Sequence, residues 1–384
     1  MIDSAGLHTR FRSVFGHTPQ RVWAAPGRVT VIGDHTDYQG GVSLAVAVPY
    51  HVVVAAHDRA DGVVRAQSGT TAEAFQQTTA DIRGTVADAL RLGQRLTGLA
   101  GFVGAVFDLM GREKGFDILV EGTLPPGSGL SSSAALSLGL LGALSTEAEP
   151  QPDWARLAQV VENRYLGVPS GILDQLAILY ARPGHAVLID ARRRTAVPVP
   201  FDWSAAGMVL LVIDTGMARR LADTPYGIRV AEAARAAEAM GLSVLVEAQD
   251  DDLDRIRHLP VLHRRARHVV GENRRVRETV QAAGCDDWAT VTRLIRDSHS
   301  SLRDDYGVST DVLDETCRTV AELDGRAGAR VTGAGFGGSA VALVPGPLEA
   351  EVRAAVQSLY RLKGWGSPQI RRVDRPAGGL ERLV

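Results

Sequence analysis

The chain has 384 residues, is 45% hydrophobic and carries a formal net charge of −2, with 42 lysines and arginines set against 44 acidic residues. That is enough apolar material for one large or two medium globular domains, and the interspersed charges exclude a nucleic-acid surface or a polybasic membrane anchor as the expectation. Two cysteines, Cys285 and Cys317, exclude a disulfide framework and a CxxC centre, and with no apolar leader at the start and no run long enough to span a bilayer, a cytoplasmic location is expected.

In chain order, the first distinctive segment is APGRVTVIGDHTDYQGG, from Ala25 to Gly41. Its apolar run Val29 to Ile32 predicts a short strand leading into a dense polar cluster. Arg28, beside the Pro26-Gly27 turn expected here, either caps a loop or stabilises developing negative charge. Asp34, His35 and Asp37 suit a polyhydroxylated ligand, or else form a solvated turn bending at Gly40 and Gly41. Val42 to Val48 and Val52 to Ala56 read as two further strands. Phe116 to Val120, bounded by Gly115 and Gly122, reads as a buried strand.

It is followed by LPPGSGLSSSAA, from Leu124 to Ala135, and then by leucines at helical spacing from Ala134 to Leu144. A Gly/Ser loop at a helix N-terminus presents unpaired N–H groups and the positive end of the macrodipole, which suits a phosphate; it is also what a flexible turn looks like. A boundary is expected near Trp203. Beyond it, Met208 to Ile213 predicts a strand, Ala231 to Met240 and Val261 to Ala283 predict helices, and the acidic run Asp250 to Asp254 predicts a solvated loop. Near the end, RVTGAGFGGSAVALV carries Gly333, Gly335, Gly337 and Gly338 ahead of a strand over Ala340 to Val344. Such glycine density marks either a loop passing close to a ligand or a tight packing corner.

Several chemistries are absent. Lys114 and Lys363 are the only lysines and neither lies in a Gly-rich loop, so there is no Walker A loop and no protein-kinase lysine strand. A dinucleotide fingerprint would need glycine at Ser132, the ten histidines form no HExxH, and GLSSSA is not a GxSxG elbow.

Taken together, PPGSGLSSSAA and GAGFGG resemble the GHMP superfamily of small-molecule kinases. GRVTVIGDHTDYQGG and ENRYLGVPSGILDQ, with RRARHVVGENRR and HSSLRDDYGVSTDVLD in support, narrow the resemblance to the galactokinases along nearly the whole chain. The resemblance implies an α+β GHMP kinase fold of two domains, 1–204 and 205–384, with the active site in the cleft between them. It implies that the nucleotide phosphates meet the loop formed by Pro126, Gly127, Ser128, Gly129, Leu130, Ser131, Ser132 and Ser133. Ser133 and Glu162 would hold Mg²⁺, with ATP as co-substrate. Asp174 would face the sugar hydroxyl that is phosphorylated, Arg28 would offset charge on the transferring group, and Asp34, His35, Asp37, Gly171 and Tyr226 would line the sugar pocket.

The implied reaction is phosphorylation of the anomeric 1-hydroxyl of galactose by a monomer whose partners are sugar and ATP alone. The sequence departs from the family pattern at Asp34, where glutamate is usual, and around Tyr226, in DTPYGIRV. N-acetylgalactosamine or a pentose such as arabinose is therefore an alternative substrate. A sugar sensor without catalysis is a further alternative, against which Arg28, Asp174, Ser133 and Glu162 all stand intact.

Overall fold

The computed structural model describes residues 4–124, 129–217 and 225–384. Its frame is β1 (Arg21–Ile32), buried along its whole length and paired antiparallel with β2 (Val42–Arg59). Valines and alanines alternate to two covered faces: Trp23, Ala25, Val29 and Val31 join one core, while Val22 and Ala24 join another under the helix Ser4–Phe15. The expected strand Val29 to Ile32 is thus the end of a longer one. Pro26 and Gly27 sit inside β1 at a register shift, where the ladder tolerates a residue with no N–H, so Arg28 is a mid-strand residue and not the neighbour of a turn. The two strands expected between Val42 and Ala56 likewise form one, β2.

β3 (Val63–Ser68), β4 (Ala74–Thr78) and β5 (Gly115–Gly122) extend the sheet in the order β1-β2-β5-β3-β4, with β3 and β5 parallel. β6 (His185–Asp190) pairs with the start of β2 and β7 (Thr195–Pro200) with β6. The helix Ser132–Leu144 lies across β1 and β2, and glycines let it approach. A Cβ on Gly142 would stand 2.5 Å from the Trp23 ring, and one on Gly139 2.8 Å from Val54.

A second, antiparallel sheet holds β8 (Met208–Asp214), β9 (Gly328–Thr332), β10 (Ser339–Pro345) and β11 (Gln369–Val373), in the order β11-β8-β10-β9. Met208, Leu210 and Val212 of β8 point into the core shared with β1, while Val209, Leu211 and Ile213 point into a core built with the C-terminal helices. Both faces are therefore covered, which is why β8 reads as an unbroken apolar run. The first core is continuous across the two sheets, and β12 (Glu381–Arg382) returns the chain end to the edge of β1.

The helices Trp288–Ser301 and Asp311–Leu323 pack on β9, and Pro225–Ala239 packs on Pro260–Gly284. The acidic run expected as a loop is instead the helix Asp250–Arg255, opened by a capping box between Gln249 and Asp252. Carboxylates in a first turn offset the unpaired N–H groups there, so the run is a helix start. The class is α+β, and among the described residues no helix is long and apolar enough to cross a membrane.

Candidate active site

A cleft of about 250 Å³ opens where the two halves meet. β1 and the segment after it supply Arg28, Asp34, His35 and Asp37; the Gly/Ser loop and its helix supply Gly129, Ser131, Ser132 and Ser133; the region around the helix Leu173–Tyr180 supplies Glu162, Gly171 and Asp174. The second half contributes Tyr226, Gly333 and Ala334. Of the residues expected at the site, Pro126, Gly127 and Ser128 lie outside the described residues, and Leu130 turns its side chain into the core.

Asp174 is held through both of its carboxylate oxygens. Its Oδ1 accepts from Arg28 Nε at 2.7 Å and from Arg28 Nη2, and its Oδ2 accepts from Ser131 Oγ at 2.5 Å. Arg28 Nη1 also donates to the Gly129 carbonyl at 3.1 Å, and the Arg28 N–H donates to the Leu130 carbonyl at 3.1 Å, so one arginine ties the carboxylate to the loop. Ser131, with φ of +61°, ends the loop as N-cap of the helix Ser132–Leu144. Its hydroxyl is committed to Asp174, which leaves the helix N-terminus and the Ser132 hydroxyl as the anion-facing groups.

Glu162 sits in a single π turn, Val161–Tyr165, a deviation common where a helix must aim a functional side chain. Its Oε1 accepts from Ser133 Oγ at 2.5 Å, and its Oε2 from Ser170 Oγ at 2.6 Å and Gln175 Nε2 at 2.8 Å. Burial, and then the charge of Asp174, push its pKa above the usual carboxylate value despite those donors. Burial and Asp174 likewise hold Asp37 up to about 6. Gly171 is required beside it, because any Cβ there would overlap Asp37 Oδ2.

His35 adopts φ of +64°, uncommon for a residue with a side chain. Its Nδ1 lies 3.0 Å from the Tyr38 hydroxyl, and its buried Nε2 has no partner within the described residues. Burial, with His268 and Arg330 nearby, holds its pKa down to about 3, so the ring is neutral. Tyr306 and Tyr226 stack loosely around it, with ring centroids 4.9 Å and 5.7 Å away. The result is an aromatic wall with polar tips, suited to the mixed faces of a sugar ring.

Asp34 is drawn to the second half. Its Oδ2 accepts from Arg330 Nη2 at 2.6 Å and from the Gly333 N–H at 3.2 Å, while burial raises its pKa against the pull of Arg330 and Arg28. The GAGFGG loop therefore answers to both readings of its glycines: Gly333 reaches the cleft, and Gly335 packs so closely on the Val308 carbonyl that a Cβ would collide with it.

Sequence reasoning missed Arg330, which is wholly buried on β9, and missed how the stretch RRARHVVGENRR is used. From the helix Pro260–Gly284, Glu272 accepts the Gly33 N–H at 2.9 Å, His268 Nε2 lies 3.1 Å from the Asp34 carbonyl, and Asn273 accepts the Val42 N–H at 2.7 Å. These contacts clamp the backbone that presents Asp34 and His35. Also missed was an apolar slot lined by Val52, Leu99, Phe102 and Leu136 that shares Ser132 and Ser133 with the main cleft. Its residues come from separated segments, so no local signal could have found it.

The model described as galactokinase galactose-binding signature matches residues 9–58, that for the GHMP kinases N terminal domain residues 96–182, and that for GHMP kinases C terminal residues 277–362. The galactokinase of Streptomyces coelicolor is 37% identical over 385 residues, covering 98% of this chain and 97% of its own. This chain belongs to the galactokinase family. A second galactokinase, from a Roseiflexus species, is 38% identical over 359 residues, covering 90% of this chain and 88% of its own. The crystal structure of Lactococcus lactis galactokinase complexed with galactose matches with a TM-score of 0.89 at 29% identity, over 99% of both chains. Methanococcus jannaschii mevalonate kinase shares the fold, with a TM-score of 0.65 at 18% identity over 93% of this chain and 98% of its own. The GHMP kinase fold expected from the motifs is thus the fold of this galactokinase-family chain.

Proposed function

We propose that the chain transfers the γ-phosphoryl group of ATP to the anomeric 1-hydroxyl of galactose, giving α-galactose 1-phosphate and ADP. As a member of the galactokinase family it is an ATP-dependent sugar phosphotransferase of carbohydrate metabolism. One observation carries the reading. Asp174, fixed by Arg28 and Ser131, shares one cleft with Asp34, His35, Asp37 and Tyr226 and with the helix N-terminus at Ser132 and Ser133.

In this reading the sugar lies against Asp34, His35, Asp37, Gly171 and Tyr226. The unpartnered His35 Nε2 and the Asp37 carboxylate offer hydrogen bonds to its hydroxyls. Asp174 orients the reacting hydroxyl and accepts its proton as the oxygen–phosphorus bond forms. Arg28 offsets charge that develops on the equatorial oxygens of the phosphoryl group, and the N–H groups and hydroxyls of the Gly/Ser loop hold the phosphates. The apolar slot beside Phe102 takes the nucleobase.

Mg²⁺ fits the residues present: Ser133 Oγ and the Glu162 carboxylate are adjacent oxygens in a cleft rich in carboxylates, and Mg²⁺ takes few protein ligands alongside phosphate oxygens. Held by Ser133 and Glu162, the ion would supply positive charge to offset the phosphates. Residues 1–204 and 205–384 act as the two working halves, with the last strand returning to the first. A working monomer in the cytoplasm belongs to the same proposal, and ATP as co-substrate with two free thiols fits that compartment.

ADP release by purified protein with Mg-ATP, measured against galactose, N-acetylgalactosamine, arabinose and glucose, tests the proposal. Turnover with galactose is expected. Turnover only with another sugar overturns the substrate, and sugar binding without turnover on any overturns the chemistry.

A further inference from the structure

A second single π turn, Leu302–Tyr306, follows the helix Trp288–Ser301 within the stretch HSSLRDDYGVSTDVLD. Such turns re-aim a side chain, and this one delivers Tyr306, wholly buried, against two histidines: its ring centroid lies 4.9 Å from His35 and 4.6 Å from His268. The backbone on either side is pinned. Arg265 donates to the Asp305 carbonyl, Arg229 donates to the Gly307 carbonyl at 3.0 Å, and both guanidiniums share Glu232 Oε2. Arg229 belongs to the helix Pro225–Ala239 that also carries Tyr226, so the turn and that side of the sugar pocket are tied together.

Three polar tips follow one another from the turn to the cleft. The Tyr306 hydroxyl lies 2.6 Å from the Tyr38 hydroxyl, which lies 3.0 Å from His35 Nδ1. Their protons can be placed in one order. Tyr306 is sealed from water, and its hydroxyl has Tyr38 as its one hydrogen-bond partner among the described residues, so its proton points at Tyr38 Oη. Tyr38 then turns its own proton on His35 Nδ1, which has to be the bare nitrogen. The ring is neutral, because burial and the nearby His268 and Arg330 hold its pKa down to about 3, so its single proton lies on Nε2. The reverse order would leave the Tyr306 proton with no acceptor. The Ala334 carbonyl favours a proton on the ring, yet no aligned partner among the described residues holds the buried Nε2.

We propose that Tyr38, held by Tyr306, is a positioning residue that fixes His35 as a hydrogen-bond donor at Nε2, so that the sugar atom opposite His35 must be an acceptor. This rests on the sugar-pocket reading given above. A hydroxyl oxygen satisfies the N–H. A hydrogen or an ammonium group at that position leaves it buried and unpaired, which costs affinity.

Heteronuclear NMR of the ring nitrogens in the ligand-free protein, with the His35 signal identified by its loss in His35→Gln, reads the tautomer directly. A neutral ring protonated at Nε2 is expected, and protonation at Nδ1 overturns the proposal whatever the substrate proves to be. The Nε2–H tautomer in a protein that does not turn over galactose would count against the substrate reading alone. In kinetics, Tyr38→Phe should raise KM for galactose about fivefold while KM for ATP holds, and should add less than about twofold when His35 is already alanine. An equal effect in both backgrounds overturns the proposal, and where Tyr38→Phe does not fold the tautomer of the parent protein decides. Monodeoxy and deoxyfluoro galactoses complete the test at the position where His35→Ala erases the cost of losing the hydroxyl. Fluorine, which accepts but does not donate, should bind a few fold tighter there than hydrogen, and equal binding overturns the assignment of His35 as donor.

Discussion

Asp117 and Asp174 are both aspartates set against arginines, and they differ in how fully their charge is balanced. Asp117, on β5, has a wholly buried side chain that accepts from Arg65 at 2.6 and 2.7 Å, from Arg59 at 3.2 Å to each oxygen, and stands 2.8 Å from His17 Nε2. Burial would raise its pKa, but Arg65 and Arg59 outweigh it and the pKa falls below the usual value. Asp174 has Arg28 and Ser131, keeps 28% of its side chain exposed, and shares its cleft with Asp34, Asp37 and Glu162, all three with raised pKa values. The first site is closed by its own counter-charges. The second holds more negative charge than its guanidinium groups offset, and that surplus is what a cation and a proton-donating substrate can use. Arginine–carboxylate pairing is therefore uninformative about function until the balance of the whole neighbourhood is read.

The contrast is broken most directly at Asp174. Asp174→Asn is expected to lower kcat by about 10³-fold or more while nucleotide affinity measured by calorimetry stays within about twofold. Retained turnover would remove Asp174 from the mechanism and erase the distinction from Asp117. Asp117→Asn should do the reverse: urea unfolding should show a loss of about 3 kcal/mol, because Arg65 loses the carboxylate it pairs with and Arg59 one of its two, while kcat per folded molecule is unchanged. A drop in kcat without a drop in stability would show that Asp117 is no mere structural pair.

Gly171→Ala sharpens the picture on the sugar side. The added methyl forces Asp37 aside, so KM for the sugar should rise about tenfold while KM for ATP holds, and a parallel rise in both would place the effect elsewhere.

Asp37 adds a pH test. Its folded pKa of about 6 lies above the 3.8 of an ordinary aspartate, chiefly through burial and then Asp174, so the fold prefers the neutral acid. The stability this contributes is present below about pH 4 and lost as pH rises through 6. Asp37→Asn, which stays neutral, should therefore melt higher than the parent protein at pH 7.5 and match it at pH 4. A gap independent of pH would mean that the carboxylate is not strained by its surroundings.

The smallest effect is expected for Asp34→Glu. With the carboxylate pinned by Arg330 and Gly333, one more methylene should shift the ratio of kcat/KM between galactose and arabinose by a few fold and leave ATP affinity alone. An unchanged ratio would take Asp34 out of the sugar pocket.

Much of the site was legible in the chain because motif residues keep their local meaning. The helix after the Gly/Ser loop, the apolar run of β8 and the polar cluster after Ile32 all follow from patterns a few residues long. The errors also have local causes. A proline within β1 read as a turn because its neighbours in the ladder were not visible, and an acidic run read as a loop because its capping partner was not weighed. Arg330 carries no signal of its own among 42 basic residues, and nothing near it in the chain marks the partner it finds.

Element type, the order of the loops and the identity of the polar groups at the site follow from the amino-acid sequence, since they depend on neighbours along the chain. Which carboxylates are offset and which stay in surplus was decided only in the tertiary structure. The pairs that set that balance join residues as far apart as Asp34 and Arg330, separated by 296 positions. Burial, the main cause of the shifted pKa values of Asp34, His35, Asp37 and Glu162, exists only once both sheets have closed around them.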